Sequence, residues 1–454
     1  MKLKNLFLTS MVALALGACS NATEEATTST EANSAKFSFS ISMPAGSSST
    51  SRSGSATIDQ NGADGTAQEN HLENVSIKLV YNATAANPTA TVLTKTYANA
   101  DFIATNETSA QSETGKTITY TLKDASKWEV PAGSAKVYAV VNGAMVETNA
   151  VITGNYGNDL NGLTTSGSIA ESNKFMMSGS YVDPTNASNT DLTINAGETT
   201  TAIILVNRVA AKIQETSATD FTASDLTKVG QKDGADLVSA KTFSVKLTGY
   251  SLFNLNNNSY VFPKENFANY NVAVPAEYAS VSAYTNFFNA YHSNTVTYPA
   301  NLAIGTSSIY CMENNNANIP TKVIYAAQVK VDGIDANSDL YVKGNVIYSY
   351  TQLVSAVGQD FLTQWGLDST KGYSEWLKAG IVKYTGGVCY YIENILTATS
   401  DAKILRNNWY KLNVHSISGL GLPVPDPAPV KNPTYLKLNI QVQPWTVNAN
   451  SFDL

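Results

Sequence analysis

The stretch Lys36-Phe-Ser-Phe-Ser-Ile-Ser-Met43 puts Phe37, Phe39, Ile41 and Met43 at alternate positions, with serine between them. That two-residue period belongs to a β-strand with one buried face and does not fit the 3.6-residue period of a helix. Pro44 and Gly46 close the run, proline because it has no amide hydrogen to give a ladder. A tract of small residues follows, Gly46-Ser-Ser-Ser-Thr-Ser-Arg52-Ser-Gly54. Arginine occurs three times in the chain against 26 lysines, and Arg52 is the one set among small residues. It reads either as an ordinary loop charge or as the target of an arginine-selective protease whose cut would detach the strand before it.

The same alternation recurs downstream between Gly, Asn, Asp and Pro. It marks strands at Val75–Tyr81, Lys116–Leu122, Ala135–Val141, Thr201–Val206, Thr242–Leu247 and Thr321–Val331. Helical patterning is confined to Ser349–Gly358, Gln359–Gly366 and Ser374–Gly380, the last two carrying Trp365 and Trp376. Many short strands separated by turn residues predict an all-β fold of sandwiches with a few short helices. At Asn207-Arg208 an apolar strand passes into Val209-Ala-Ala-Lys-Ile213 and a polar stretch, which predicts a boundary between two domains.

Upstream of the first strand, Met1-Lys-Leu-Lys4 is basic, Leu6 to Leu16 is apolar, and Leu16-Gly17-Ala18-Cys19 is a small-residue cleavage site ending in cysteine. This is a signal peptide, and its apolar core falls short of the roughly 20 residues needed to cross a bilayer. The cysteine directly after Leu-Gly-Ala resembles a bacterial lipobox, so Cys19 is expected to carry lipid. Residues 20 to 35 are Ser, Asn, Ala, Thr and Glu with little to bury, as in a disordered tether.

Only 14% of residues are charged, 43% are hydrophobic, 24 are tyrosine and the net charge is −7. An acidic balance without a basic patch excludes nucleic acid as a partner. Cys311 and Cys389 are left in an export compartment where disulfides persist; they either pair or pack as two small buried hydrophobes. The histidines, His71, His292 and His415, are scattered singly, and no metal-ligand spacing, nucleophile elbow or phosphate-binding glycine loop is present. No catalytic residue, cofactor or metal is therefore expected. Trp409, Tyr410, Trp445 and Met176-Met177 lie in strand-like surroundings and read as core.

The far end mirrors the beginning. Tyr435-Leu-Lys-Leu-Asn-Ile-Gln-Val-Gln443 alternates Leu436, Leu438, Ile440 and Val442, then runs into Pro444-Trp445-Thr-Val447. If a cut at Arg52 removes the first strand, its sheet gains an apolar slot and unpaired backbone edges. The terminal strand of another copy then fits that slot. Donation of this kind is head-to-tail and does not close, so it builds a fibre.

Lys174-Phe-Met-Met-Ser-Gly179, Val206-Asn-Arg-Val-Ala-Ala-Lys-Ile213, Tyr310-Cys-Met-Glu-Asn314, Arg406-Asn-Asn-Trp-Tyr-Lys-Leu412 with Ile417-Ser-Gly-Leu-Gly421, and Val442-Gln-Pro-Trp445 resemble the fimbrillins. These are the shaft subunits of type V pili, and the chain is most similar to the major subunit of short fimbriae. The resemblance implies two transthyretin-like β-sandwiches. It also implies export as an outer-membrane lipoprotein through Cys19, trimming after Arg52 by an arginine-specific surface protease, loss of the strand bearing Phe37, Phe39, Ile41 and Met43, and polymerisation through a donor strand bearing Leu436, Leu438, Ile440, Val442 and Trp445. The expected partition is a signal peptide at 1–18, a tether at 19–35, a removed strand and loop at 36–52, sandwiches at 53–206 and 207–434, and the donor at 435–454. Expected partners are other copies, accessory, tip and anchor subunits, the protease, and the outer membrane through lipid before maturation; the mature protein belongs to an extracellular fimbrium used for adhesion and colonisation. The alternatives are a tip or anchor subunit and a monomeric glycan-binding lipoprotein.

Overall fold

The computed structural model describes residues 34–43, 56–58, 63–64, 67–82, 90–107, 117–148, 150–153, 169–186, 188–221, 243–253, 255, 258–262, 304, 308–314, 320–344, 346–396, 402–417, 419–425 and 436–446. Cys19, Arg52 and His292 lie outside them.

Two sheets enclose the amino-terminal core. One has the order β13 (Thr199–Leu205), β1 (Ser34–Met43), β7 (Thr117–Leu122), β6 (Phe102–Glu107), with β8 (Trp128–Pro131) also paired to β1. The other runs β14 (Asn207–Arg208), β11 (Met177–Ser180), β9 (Gly133–Val141), β4 (Asn74–Tyr81), β5 (Val92–Ala98), with β12 (Asp191–Ile194) on β9. Inward residues of both share one apolar cluster, among them Phe37, Phe39 and Ile41 from β1 and Val75, Ile77 and Leu79 from β4. Alternation generates this layer, because every second residue of each strand faces the opposite sheet.

The carboxyl-terminal core is built the same way. A sheet of order β19 (Ser308–Met312), β15 (Ala210–Glu215), β25 (Asn408–Ile417), β26 (Leu436–Thr446), β2 (Ala56–Ile58), with β3 (Ala63–Asp64) on β26, accompanies a sheet of order β16 (Asp220–Phe221), β17 (Phe243–Phe253), β20 (Lys322–Val331), β24 (Val388–Asn394). Ile213, Val245, Tyr325 and Tyr410 lie in the second apolar cluster, while Tyr310 and Met312 of β19 reach into the first. A short ladder joins β10 (Val151–Thr153) to β18 (Asn258–Tyr260). Connected to the second core, a three-stranded sheet of β21 (Leu340–Lys343), β22 (Val346–Tyr348) and β23 (Ile381–Tyr384) carries helices α2 (Tyr350–Val357), α3 (Gln359–Trp365) and α4 (Tyr373–Lys378) around Trp376 and Tyr341. A one-turn helix, α1 (Ala67–Asn70), precedes β4.

Two expectations shift. The first strand starts at Ser34, ahead of the anticipated Lys36, with Ala35 buried opposite Val130. Cys311 and Cys389 are separate free thiols, both buried in the second cluster on β19 and β24. The packing alternative thus replaces the disulfide, and loss of hydration pushes the Cys311 thiol up to about 12 and that of Cys389 up to about 11.

Candidate strand-exchange site

The first strand occupies a slot in the interior of its sheet. Along one edge β1 runs parallel to β13, from Lys36 opposite Thr199 to Ser42 opposite Leu205. Along the other it runs antiparallel to β8 over Ser34–Phe37 and to β7 over Ser40–Met43. Bonds at its ends complete the fit: Lys36 N donates to Glu198 O at 2.9 Å and Val206 N donates to Ser42 O at 3.0 Å. Phe37, Phe39 and Ile41 are wholly buried. Phe39 packs edge-on against Tyr97 and Phe102, with ring centroids 5.2 and 5.7 Å away. Withdrawing β1 forfeits roughly 1.5–3 kcal/mol for each such side chain and leaves β13 facing β7 and β8 across a gap one strand wide.

The last described strand is also interior. β26 pairs antiparallel with β25, from Leu436 opposite Ile417 to Pro444 opposite Asn408, with a bulge at Val414/Ser416. Its other edge is covered in parallel by β2, which matches Ala56–Ile58 to Ile440–Val442, and by β3, which sets Ala63 opposite Trp445. In the uncut chain, therefore, Leu436, Leu438, Ile440, Val442 and Trp445 belong to a fully paired strand, and the segment just after Arg52 covers one side of it.

The arginines other than Arg52 are locked into buried networks. Arg208, 2% exposed, donates through Nε to Glu69 O at 3.3 Å, through Nη1 to Asn407 Oδ1 at 3.2 Å, and through Nη2 to Asn70 Oδ1. Beside it Lys212 meets Glu69 Oε1 at 2.8 Å, and Tyr310 donates its hydroxyl to the same carboxylate oxygen. Burial pulls the Arg208 guanidinium down to about 10 and lowers Lys212 as well, with Glu69 opposing both shifts. Arg406 pairs with Glu313 and donates to Ser259 Oγ at 3.2 Å and to the carbonyls of Tyr260 and Val261 at 2.6 and 2.9 Å. A protease reaches neither without unfolding its surroundings.

These networks explain motifs that sequence reasoning quoted without a physical role. Arg406 turns inward to Glu313, while Asn407, held at φ 57°, receives Arg208. Glu69 had no sequence signal beyond its place in a short polar run. Tyr410 and Met177 are core. Trp409 and Met176 are half-buried, and Lys212 Nζ lies 3.8 Å from the centre of the Trp409 ring.

Residues 382–451, which contain β24, β25, β26 and Arg406-Asn407, match the family model described as major fimbrial subunit protein type IV, fimbrillin, C-terminal. Over these residues the chain is similar to the carboxyl-terminal region of the fimbrillins. Among solved structures, a fimbrilin from Porphyromonas gingivalis is 15% identical, with 91% of this chain and 99% of that one covered at a TM-score of 0.39. A fimbrial assembly protein from Parabacteroides distasonis is 11% identical, with 84% and 92% covered at 0.33. No curated protein sequence is a significant match. The fimbrillin-matched segment ends beyond the last described strand, so Leu436–Thr446 lies inside it.

Proposed function

We propose that this chain is the shaft subunit of a cell-surface fimbrium and that its activity is self-assembly. It is exported with lipid on Cys19, cut after Arg52, and polymerised when the terminal strand of one copy fills the slot that β1 vacates in the next. The observation that carries the reading is the position of β1: an interior strand with three fully buried apolar side chains, followed in the sequence by the small-residue tract that holds Arg52. Loss of an edge strand would leave one unpaired edge, whereas loss of β1 leaves a two-sided groove that accepts a strand of matching alternation. The apolar positions of β26 supply that alternation, and the partners follow as further copies and the subunits that start and anchor the fibre.

Brief treatment of the purified precursor with an arginine-specific protease, followed by electrophoresis in detergent without boiling, is expected to give a ladder of oligomers starting from a new amino terminus at Ser53. Arg52→Ala is expected to remain a single band. Trimmed protein lacking residues 435–454 is expected to stay monomeric, and fibres grown as readily by that truncated chain would overturn the reading.

A further inference from the structure

On the outer side of the β1 sheet, paired residues line up in rows across the strands. Ile203 of β13, Ser40 of β1, Thr121 of β7 and Ile103 of β6 are successive partners, and Ser40 Oγ lies 3.0 Å from Thr121 Oγ1, so both hydroxyls share that face. The adjacent row holds Leu205, Ser42 and Thr119. Ile203, Leu205 and Ile103 are 53%, 52% and 54% exposed, while Ser38, Ser40 and Ser42 between them are buried. The face is therefore a trough, its floor made of short serines and its walls of taller apolar side chains open to solvent. A strand of such composition seals the core beneath it and leaves the outer walls uncovered.

We infer that this trough is completed in the fibre by Asn439 and Gln441 of a second copy's terminal strand, lying against Ile203 and Leu205. The inference rests on the strand-exchange reading and adds which outward residues of the donor make the new contact. Alternation leaves no other assignment: if Leu438 and Ile440 turn into the core, Asn439 and Gln441 turn outward. With Ile440 where Ile41 stands, Asn439 falls at position 40 beside Ile203, and Gln441 at position 42 beside Leu205. Lys437 falls at position 38, where its aliphatic stem extends the cover.

The inward exchange works against assembly, because Phe37 and Phe39 give way to the smaller Leu436 and Leu438. The outward exchange works for it, since three serines give way to side chains long enough to cover the walls. Preference for the donor over the original strand is thereby placed on the outer face, where the two strands differ most in reach.

Ile203→Ser with Leu205→Ser tests this. The uncut variant is expected to melt at the parent's temperature, because both side chains are exposed there, and a fall in that temperature would overturn the placement of these residues on an open face. After trimming, fibres of the variant are expected to release subunits on dilution about tenfold faster than parental fibres, reflecting lost apolar cover. Asn439→Ser with Gln441→Ser, which restores a serine floor from the donor side, is expected to shift release in the same direction. Release at the parental rate by both variants would overturn the inference and leave strand exchange standing. Trimmed parent that forms no fibres would overturn both.

Discussion

Phe39 is wholly buried, meets two aromatic edges, and sits on the strand expected to be discarded. Phe39→Ala is expected to lower the stability of the uncut protein by about 3–5 kcal/mol in chemical denaturation. Fibres grown from the trimmed variant should match the parent, because the substituted residue has left; altered fibres would mean that β1 is retained. The two buried thiols give a second residue-scale prediction. Both are held above the ordinary value of 9.0, at about 12 and about 11, so the folded chain keeps protons that the unfolded chain gives up. Their contribution is complete below pH 9 and is lost as pH rises through about 11 for Cys389 and about 12 for Cys311. Relative to the parent, Cys311→Val should remove about 1.4 kcal/mol per pH unit from the fall in stability between pH 9 and 11; parallel denaturation series would show no titrating thiol there. Sequence singled out Arg52 by its neighbours and set Arg208 and Arg406 in or beside strand-like runs that shield them, but the partners of those two were not legible, because Glu69 and Glu313, which receive their networks, lie 139 and 93 residues away in the chain.

At the scale of elements, Gly179 ties the slot to the opposite sheet. A Cβ there would stand 1.9 Å from the Leu205 carbonyl oxygen, and Leu205 ends the strand against which β1 lies. Gly179→Ala must push β13 away from β11, and is expected to cost about 1–3 kcal/mol by overpacking while slowing fibre growth, as read by denaturation and by the oligomer ladder. Near-parental values for both would show that β13 can shift freely. Strands with strict alternation were legible from sequence, since Val75–Tyr81, Ala135–Val141 and Thr321–Val331 correspond to β4, β9 and β20. The helices were legible through their punctuation: Ser349 and Gln352 form a capping box, and Gly358 and Gly366 end their helices at positive φ. Pairing was not. The parallel contacts of β1 with β13 and of β2 with β26 join segments far apart in the chain, and alternation fixes which face is buried but not which strand lies alongside.

For the whole molecule, the described residues begin and end on interior strands, β1 and β26, and the proposed strand exchange has both change partners. On that proposal β26, paired with β25 and β2, must leave them before it can serve a neighbour, and a trimmed monomer would hold an open slot and an occupied donor at once. A free peptide spanning residues 436–446 has no such earlier attachment. Added in excess during trimming, it is expected to occupy open slots and shorten the oligomer ladder, with mass spectrometry finding it bound to the terminal subunit. A peptide of the same composition in which Leu436, Leu438, Ile440 and Val442 each exchange places with the residue that follows keeps its hydrophobicity but inverts the facing pattern. It should not compete, because a one-residue slip turns every apolar side chain away from the core. Equal inhibition by the two peptides would reduce the slot to a nonspecific apolar surface, whereas selective inhibition by the first assigns recognition to alternation, the property from which the first strand was read.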